Sequence, residues 1–130
     1  MNNFALTYII DDDAIFVLVL KKILCKLNIF NEIINIRNGQ EALNILSNNY
    51  DNFEPLPDLI YLDINMPVLD GWQFLEELEK LPFADQLNIY IISSTIDLEE
   101  IEKAKQFISV KNFISKPIKK EDIIKLFLDP

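Results

Sequence analysis

The sequence predicts an α/β fold: a doubly wound, five-stranded parallel sheet with five helices. Strand-like and helix-like segments alternate along the 130-residue chain, and the strand-like segments are continuous apolar runs. A continuous apolar run indicates a strand that is buried on both faces, as in a parallel sheet covered by helices. Right-handed crossovers place those helices on both sides of an open sheet. We expect a single domain, residues 1–130.

The first half of the chain supplies three strands and two helices. The run 6–10 ends at three acids, and Asp13 is placed to cap the helix that follows. Apolar residues at helical spacing continue after Gly39, and the two prolines of 51–57 predict a loop. In chain order, the predicted elements are strand 6–10, helix 14–27, strand 32–36, helix 40–48 and strand 58–62.

The second half of the chain continues the alternation. Its first helix begins at Gly71 and repeats apolar residues at helical spacing through Phe74, Leu75 and Leu78. In chain order, the predicted elements are helix 71–80, strand 89–93, helix 97–107, strand 112–115 and helix 119–128.

Composition excludes several classes of site and partner. The chain has no histidine and one cysteine, Cys25, which excludes histidine-based catalysis, histidine metal sites and an internal disulfide. No apolar run approaches the roughly 18 residues that span a bilayer, and the start lacks the basic region of a secretory signal. We therefore expect a cytoplasmic protein without membrane insertion. A net charge of −9 argues against direct DNA binding, which requires clustered Lys and Arg.

Polar side chains follow the predicted strands at the edge where doubly wound sheets bind ligands. In chain order they are residues 11–13, Asp63, Ser93 and Lys116. Clustered carboxylates repel one another unless a cation is present, and oxygen ligands suit Mg²⁺ first, then Ca²⁺ or Mn²⁺. The ammonium of Lys116 suits a phosphoryl group. A carboxylate can itself be the nucleophile that forms an aspartyl phosphate.

Four motifs at these strand ends resemble those of response-regulator receiver domains of two-component signalling. They are Ile-Ile-Asp-Asp-Asp at 9–13, Leu-Asp-Ile-Asn-Met-Pro-Val-Leu-Asp-Gly at 62–71, Ile-Ile-Ser-Ser at 91–94 and Phe-Ile-Ser-Lys-Pro at 113–117. The resemblance covers essentially the whole chain. It implies a flavodoxin-like fold with strand order 2-1-3-4-5 and a stand-alone receiver similar to chemotaxis regulators.

The resemblance also implies a phosphorylation site and a metal site. Asp63 would accept a phosphoryl group from a phosphohistidine on a sensor histidine kinase or a histidine phosphotransfer protein. Asp12 and Asp63 would bind Mg²⁺, or Mn²⁺, directly, and Asp11 would act mainly through metal-bound water. The backbone carbonyl of Asn65 would complete the ligands. The protein would be a phosphoacceptor that assists its own phosphorylation and dephosphorylation, rather than an enzyme.

Further residues would bind the phosphoryl group and transmit its arrival. Ser93 stands where threonine is commoner and would bond a phosphoryl oxygen, and Lys116 would pair with the same group. The resemblance implies a cis bond before Pro117. Phe113 occupies the aromatic switch position and, without a hydroxyl, is expected to turn inward more readily than tyrosine. The surface of the fourth helix, fifth strand and fifth helix would then change and signal to a downstream protein.

Two positions would tune the lifetime of the phosphoryl group. Asn65 and Thr95 correspond to residues that border the path of attacking water in this family. Neither side chain is a carboxylate, so neither can act as a charged base, and we expect slow to moderate self-dephosphorylation.

The first helix carries more apolar residues than one face can hold. The residues expected to form its buried stripe are Phe16, Val19, Leu20, Ile23, Leu24 and Leu27. Ile15, Val17 and Leu18 are then expected to face water near the acceptor. Exposed apolar residues are ordinary when isolated. Since receivers dock this helix against the helices that carry the phosphohistidine, we interpret these three as a partner contact.

Other interpretations of the same residues remain. The acids at 11–13 could merely cap a helix, and Phe113 could be only a core residue. A degenerate receiver that serves as a docking module would need no phosphorylation. A haloacid-dehalogenase-type phosphatase requires a second carboxylate two residues after the nucleophile, where this chain has Asn65. A flavodoxin requires a phosphate-binding loop that a chain with two glycines does not offer.

Overall fold

The chain folds as a layered α/β structure, seen in a computed structural model that describes residues 4–28, 30–66, 68–94 and 97–128. The strands are β1 (Phe4–Ile10), β2 (Phe30–Ile36), β3 (Leu59–Asp63), β4 (Ile89–Ser93) and β5 (Val110–Ser115). The helices are α1 (Ala14–Leu27), α2 (Gly39–Asp51), α3 (Gly71–Glu79), α4 (Leu98–Ala104) and α5 (Lys120–Leu128). A 3₁₀ turn, Ala84–Gln86, precedes β4.

The strands form one parallel sheet in the order β2-β1-β3-β4-β5, which confirms the predicted topology. Their register aligns the carboxyl ends. Ile10 of β1 lies opposite Leu62 of β3, and Ser93 of β4 lies opposite Ser115 of β5. The residues that follow these strands therefore emerge together at one edge of the sheet.

Apolar layers cover both faces of the sheet. On one face, Phe74, Leu75 and Leu78 of α3 pack with residues of α2 and α4. On the other face, α1 and α5 pack against the sheet through buried residues that include Leu20 and Ile123. All five residues of the central strand β3 are buried, which explains why this strand is a continuous apolar run up to Asp63. Full burial of one such aliphatic or aromatic side chain contributes about 1.5–3 kcal/mol.

Helix α1 divides its faces differently from the prediction. Val17, expected to face water, is 5% exposed and packs against the sheet. Val19, expected in the buried stripe, is 45% exposed. At about 100° per residue, Val17 lies only about 60° from the centre of the buried face, whereas Val19 lies about 100° from it. The exposed α1 patch therefore consists of Ile15, Leu18 and Val19.

The remaining elements confirm the predicted order, with boundaries that move by at most three residues. The largest changes are at the carboxyl ends of α2 and α4. Helix α2 continues to Asp51 because the hydrogen bonds that end it form only beyond that residue. The backbone N–H groups of Phe53 and Glu54 donate to the carbonyls of Tyr50 and Asn49, respectively. None of the described helices has both the length and the apolar character needed to cross a bilayer.

Candidate functional site

Three carboxylates and one ammonium meet at the carboxyl edge of the sheet. Asp11 and Asp12 follow β1, and Asp63 ends β3; each offers an oxygen within 4.8 Å of the other two. Lys116 follows β5, and its Nζ lies 3.3 Å from Oδ2 of Asp11 and 3.6 Å from Oδ1 of Asp63. The structure thus brings together four of the residues that the sequence places at strand ends.

The three consecutive acids occupy three different environments. Asp11 is buried, Asp12 is half-buried and Asp13 is exposed. Oδ1 of Asp11 accepts a hydrogen bond from the Asp13 backbone N–H at 2.9 Å. Asp13 caps α1, since its Oδ1 accepts from the backbone N–H groups of Ile15 and Phe16, each at 3.1 Å. The predicted N-cap is confirmed, and Asp11 and Asp12 remain for the site.

The residues that directly follow β3 lie close to Asp63 and to the start of α3. The Asn65 N–H donates to Oδ1 of Asp63 at 3.3 Å, and the Gly71 N–H donates to the carbonyl of Ile64 at 2.9 Å. A Cβ at Gly71 would lie 2.7 Å from Cα of Ile64, a distance that real Cβ atoms do not show. Glycine at this position therefore allows the start of α3 to close against the loop that carries Asn65.

Two of the carboxylates, Asp11 and Asp63, have pKa values above the ordinary value for aspartate. Burial, followed by the charge of Asp11, raises the pKa of Asp63 to about 6, although Lys116 and the Asn65 N–H act in the opposite direction. Burial likewise raises the pKa of Asp11. One ammonium among three carboxylates leaves this edge short of positive charge.

Phe16 is a site residue that the sequence reasoning missed. Its ring lies beneath Lys116, whose Nζ is 4.3 Å from the ring centroid. A cation–π contact of this kind holds the ammonium over the carboxylates. The apolar pattern of α1 predicts only that Phe16 belongs to the buried stripe, and its place on the first helical turn after the acids is the signal that indicates a second role.

The donor set fits a hard divalent cation. Every side-chain ligand is a carboxylate oxygen, the type that Mg²⁺ and Mn²⁺ prefer. Oδ2 of Asp11 is buried with no hydrogen-bond partner among the described residues, and its contact with Lys116 is an ion pair. A buried carboxylate oxygen with spare acceptor capacity is what a metal ligand requires.

The other predicted site residues lie around this cluster or apart from it. Ser93 is fully buried at the end of β4, and its carbonyl accepts from the Lys116 N–H at 2.8 Å. The Lys116–Pro117 peptide bond is cis. Phe113 is half-buried, packs against the α2–α4 layer and lines an open groove of about 370 Å³. Thr95 lies outside the described residues.

Residues 7–128 match the family model described as the response regulator receiver domain. The chain belongs to this family. Receiver domains are phosphoacceptors rather than catalytic enzymes, and they interact with histidine kinases or phosphotransfer proteins. The predicted family and fold are thereby confirmed.

Individual relatives match this receiver domain over different shares of their own length. Chemotaxis protein CheY of Bacillus subtilis is 30% identical over 116 residues, which is 89% of this chain and 88% of that protein. A two-component response regulator from Cytophaga hutchinsonii has a similar structure, with a TM-score of 0.88 and 26% identity over 98% of this chain and 96% of that one. The peroxide stress-activated histidine kinase mak3 of Schizosaccharomyces pombe is 29% identical over 122 residues, 92% of this chain but only 5% of the kinase. This chain therefore spans a small part of some curated relatives.

Proposed function

We propose that this chain accepts a phosphoryl group onto Asp63 from a phosphohistidine of a partner protein, with Mg²⁺ as cofactor. The proposal rests on one observation, the meeting of Asp63, Asp11 and Asp12 within 4.8 Å beneath an ammonium 3.6 Å from Asp63. Asp11, Asp12, Asp63 and the backbone carbonyl of Asn65 would hold the cation.

The transfer exchanges one bond to phosphorus for another. A carboxylate oxygen of Asp63 attacks phosphorus, the P–N bond to the imidazole breaks, and the released imidazole nitrogen takes up a proton. The product on Asp63 is an acyl phosphate. Lys116 pairs with the phosphoryl oxygens, and the Ser93 hydroxyl donates a hydrogen bond to one of them. When bound, Mg²⁺ neutralises charge on the carboxylates and the phosphoryl group.

The α1 patch is the docking surface that we propose for the phosphohistidine partner. A groove of about 420 Å³ connects the patch with the site, and its lining includes Ile15, Val19, Lys116 and Pro117. A partner helix that covers the patch would therefore reach the acceptor edge. Val17 is buried and has no part in this surface.

The α4–β5–α5 face, on the other side of the site from the α1 patch, is the surface that we propose signals to a downstream protein. Phosphorylation would draw Ser93 and Lys116 toward Asp63. It would thereby shift a pre-existing equilibrium toward the conformation in which the Phe113 ring is turned inward. Phe113 borders the groove between α4 and β5, together with Ile101 and Val110. An inward turn would reshape that groove and the α4–β5–α5 face that a downstream protein reads.

Asn65 and Thr95 are the proposed tuning positions for loss of the phosphoryl group. The Asn65 side chain is exposed beside Asp63, where it can hinder or admit water but cannot deprotonate it. A double replacement by Ala that leaves the decay rate unchanged would exclude this role.

Mass spectrometry tests the acceptor directly. The chain is incubated with Mg²⁺ and acetyl phosphate, and we expect one added phosphate that is absent from Asp63→Asn and from a sample treated with EDTA. An unmodified parent chain would instead indicate a docking module that does not use phosphorylation. An adduct that persists in Asp63→Asn would place the acceptor elsewhere.

A further inference from the structure

A second surface lies at the amino edge of the sheet, which the phosphoacceptor chemistry does not use. An open groove of about 610 Å³ forms there between the end of α2 and the loop before β3. We call it the Phe53 groove; its lining residues are Tyr50, Asp51, Phe53, Glu54, Leu56 and Gln86. The length of β3 separates this edge from Asp63 by about 13 Å.

Phe53 is presented to solvent by an ordered turn. Its side chain is 98% exposed, and its backbone has a φ of 57°. The Phe53 N–H donates to the carbonyl of Tyr50 at 3.3 Å, and the Glu54 N–H donates to that of Asn49 at 2.8 Å. These two bonds form a helix-ending motif whose left-handed residue is usually Gly or Asn. A bulky aromatic residue is uncommon in that conformation.

The charges of the groove are also unfavourable for the local fold. Asp51 is the last residue of α2, so its carboxylate lies at the negative end of the helix dipole, and the last turn holds no basic residue. Glu54 is exposed three residues later. No Lys or Arg occurs between residues 38 and 79.

A firm apolar floor lies beneath these residues. The Tyr50 ring lies 4.8 Å from that of Phe83, centroid to centroid, and Phe83 is buried in the α2–α4 layer. Leu56 is half-buried against the same layer. The groove therefore has an apolar base and an exposed aromatic side chain, that of Phe53, and the carboxylates of Asp51 and Glu54 border it. Neither the conformation of Phe53 nor the charge of Asp51 helps the fold, and residues that break local rules in this way concentrate at functional sites.

We propose that the Phe53 groove binds a basic amphipathic segment of a partner protein. An apolar side chain of the segment contacts Phe53 and Tyr50, and its Lys or Arg residues face Asp51 and Glu54. Charge complementarity selects this occupant, because a second copy of a chain with net charge −9 would bring like charge to the groove. The distance to the opposite edge allows the partner and a phosphohistidine donor to bind together.

A phage-displayed library of random 12-residue peptides is the probe. It is selected on the full chain after depletion on the Phe53→Gly chain, and the selected peptides are synthesised for affinity and NMR measurements. We expect peptides rich in Lys and Arg with an apolar anchor, whose amide shifts concentrate at residues 50–56 and Gln86. We expect Phe53→Gly to weaken their binding at least tenfold.

Two double variants test the charge. Asp51→Asn with Glu54→Gln is expected to weaken the selected peptides at least fivefold, whereas the matched pair Glu76→Gln with Glu99→Gln, exposed acids of α3 and α4, is expected to leave affinity within twofold. Phe53→Gly is expected to melt at the same temperature as the parent or higher, because glycine suits a positive φ.

Several results would overturn the proposal. They are a selection that yields no Phe53-dependent peptide, selected peptides without basic residues, or amide shifts at α1 or α4 instead of the groove. Self-association in sedimentation velocity that disappears in Phe53→Gly would assign the groove to a second copy and would equally overturn the proposal.

Discussion

Asp63 ionises at a cost, because it is buried beside Asp11 with Lys116 as the cation that faces both. The consequence can be measured as stability. In the folded chain the pKa of Asp63 is about 6, above its ordinary value of 3.8. Between these two values the folded state holds a proton that the unfolded chain releases, so stability falls as pH rises from about 4 to about 6. Above that range the penalty is complete.

Removing the ionisable group should remove this penalty. Without metal, we expect the unfolding free energy of Asp63→Asn, relative to that of the parent, to increase by about 2 kcal/mol between pH 4 and pH 7. Urea denaturation in EDTA at a series of pH values measures the difference. Parallel curves for the two proteins would show that Asp63 ionises normally in the folded chain.

Metal binding should distinguish neighbouring aspartates. We expect Mg²⁺ to raise the melting temperature of the parent, with a stabilisation of about 1.4 kcal/mol at tenfold its dissociation constant. Asp12→Asn should lose most of this gain because it removes a ligand charge. Asp13→Asn is the matched control, since asparagine caps a helix as well as aspartate does. Equal gains in both variants, measured by thermal melts, would contradict the assigned ligands.

At the scale of elements, α1 serves both the core and the surface. Its inner side packs with β1 and α5 through Leu20 and Leu24, while the α1 patch faces water beside the acceptor edge. The exposed apolar residues lie toward the amino end of the helix, and Lys22 and Lys26 are exposed toward its other end. A partner surface with an apolar centre and a neighbouring acidic region fits this arrangement.

A charge in the α1 patch should separate protein donors from small donors. We expect Leu18→Glu to reduce phosphotransfer from the histidine partner at least tenfold, because a charge buried in the interface lacks a partner. Phosphorylation by acetyl phosphate should not change. Ile108→Glu is the matched control, since Leu18 is 56% exposed and Ile108 is 59% exposed, far along the chain between α4 and β5. Phosphotransfer rates from both donors are measured for both variants. An equal loss of transfer from the histidine partner in Leu18→Glu and Ile108→Glu would contradict the α1 patch as the docking surface.

The sequence predicts which residues meet at the site better than it predicts which face of α1 is buried. The convergence of Asp11, Asp63 and Lys116 follows from topology, since parallel strands end at one edge. The faces of α1 did not follow, because apolar residues occur on almost every side and only packing against the sheet decides that Val17 is buried. The support of Lys116 by Phe16 depends on a contact between residues 100 positions apart, which helical periodicity cannot reveal.

The whole molecule places two different surfaces at opposite edges of one sheet. The carboxylate cluster of Asp11, Asp12 and Asp63 lies with the α1 patch at the carboxyl edge, and the Phe53 groove lies at the amino edge. The layer of α2, α3 and α4 connects them, with Phe113 packed against it on one side and Phe83 beneath Tyr50 on the other.

Phosphorylation should change the amide exchange of the α4–β5 region more than that of the Phe53 groove. With Mg²⁺ and acetyl phosphate, we expect altered amide exchange around Asp63 and across residues 98–115, since the proposed movement of Ser93 and Phe113 would couple Asp63 to the α4–β5 face. Residues 50–56 should keep their exchange rates. Hydrogen exchange of the parent and of Asp63→Asn provides the comparison, and a response confined to the residues around Asp63 would rule out the switch.

The three identical residues of the aspartate run 11–13 differ in role because they differ in position. Asp11 forms an ion pair with Lys116, Asp12 belongs to the carboxylate cluster, and Asp13 caps α1. The start of the run is fixed by the pairing of β1 with β2 and β3, and its end by the first turn of α1. Substituting Asp11 or Asp12 by asparagine removes the charge at that one position, whereas asparagine at position 13 keeps the cap. Deleting one codon leaves two aspartates for three positions, so it must either put alanine at the cap position or turn α1 by about 100° relative to the sheet. Among natural variants of this chain, the length of the run should therefore be held more strictly than the identity of its last residue.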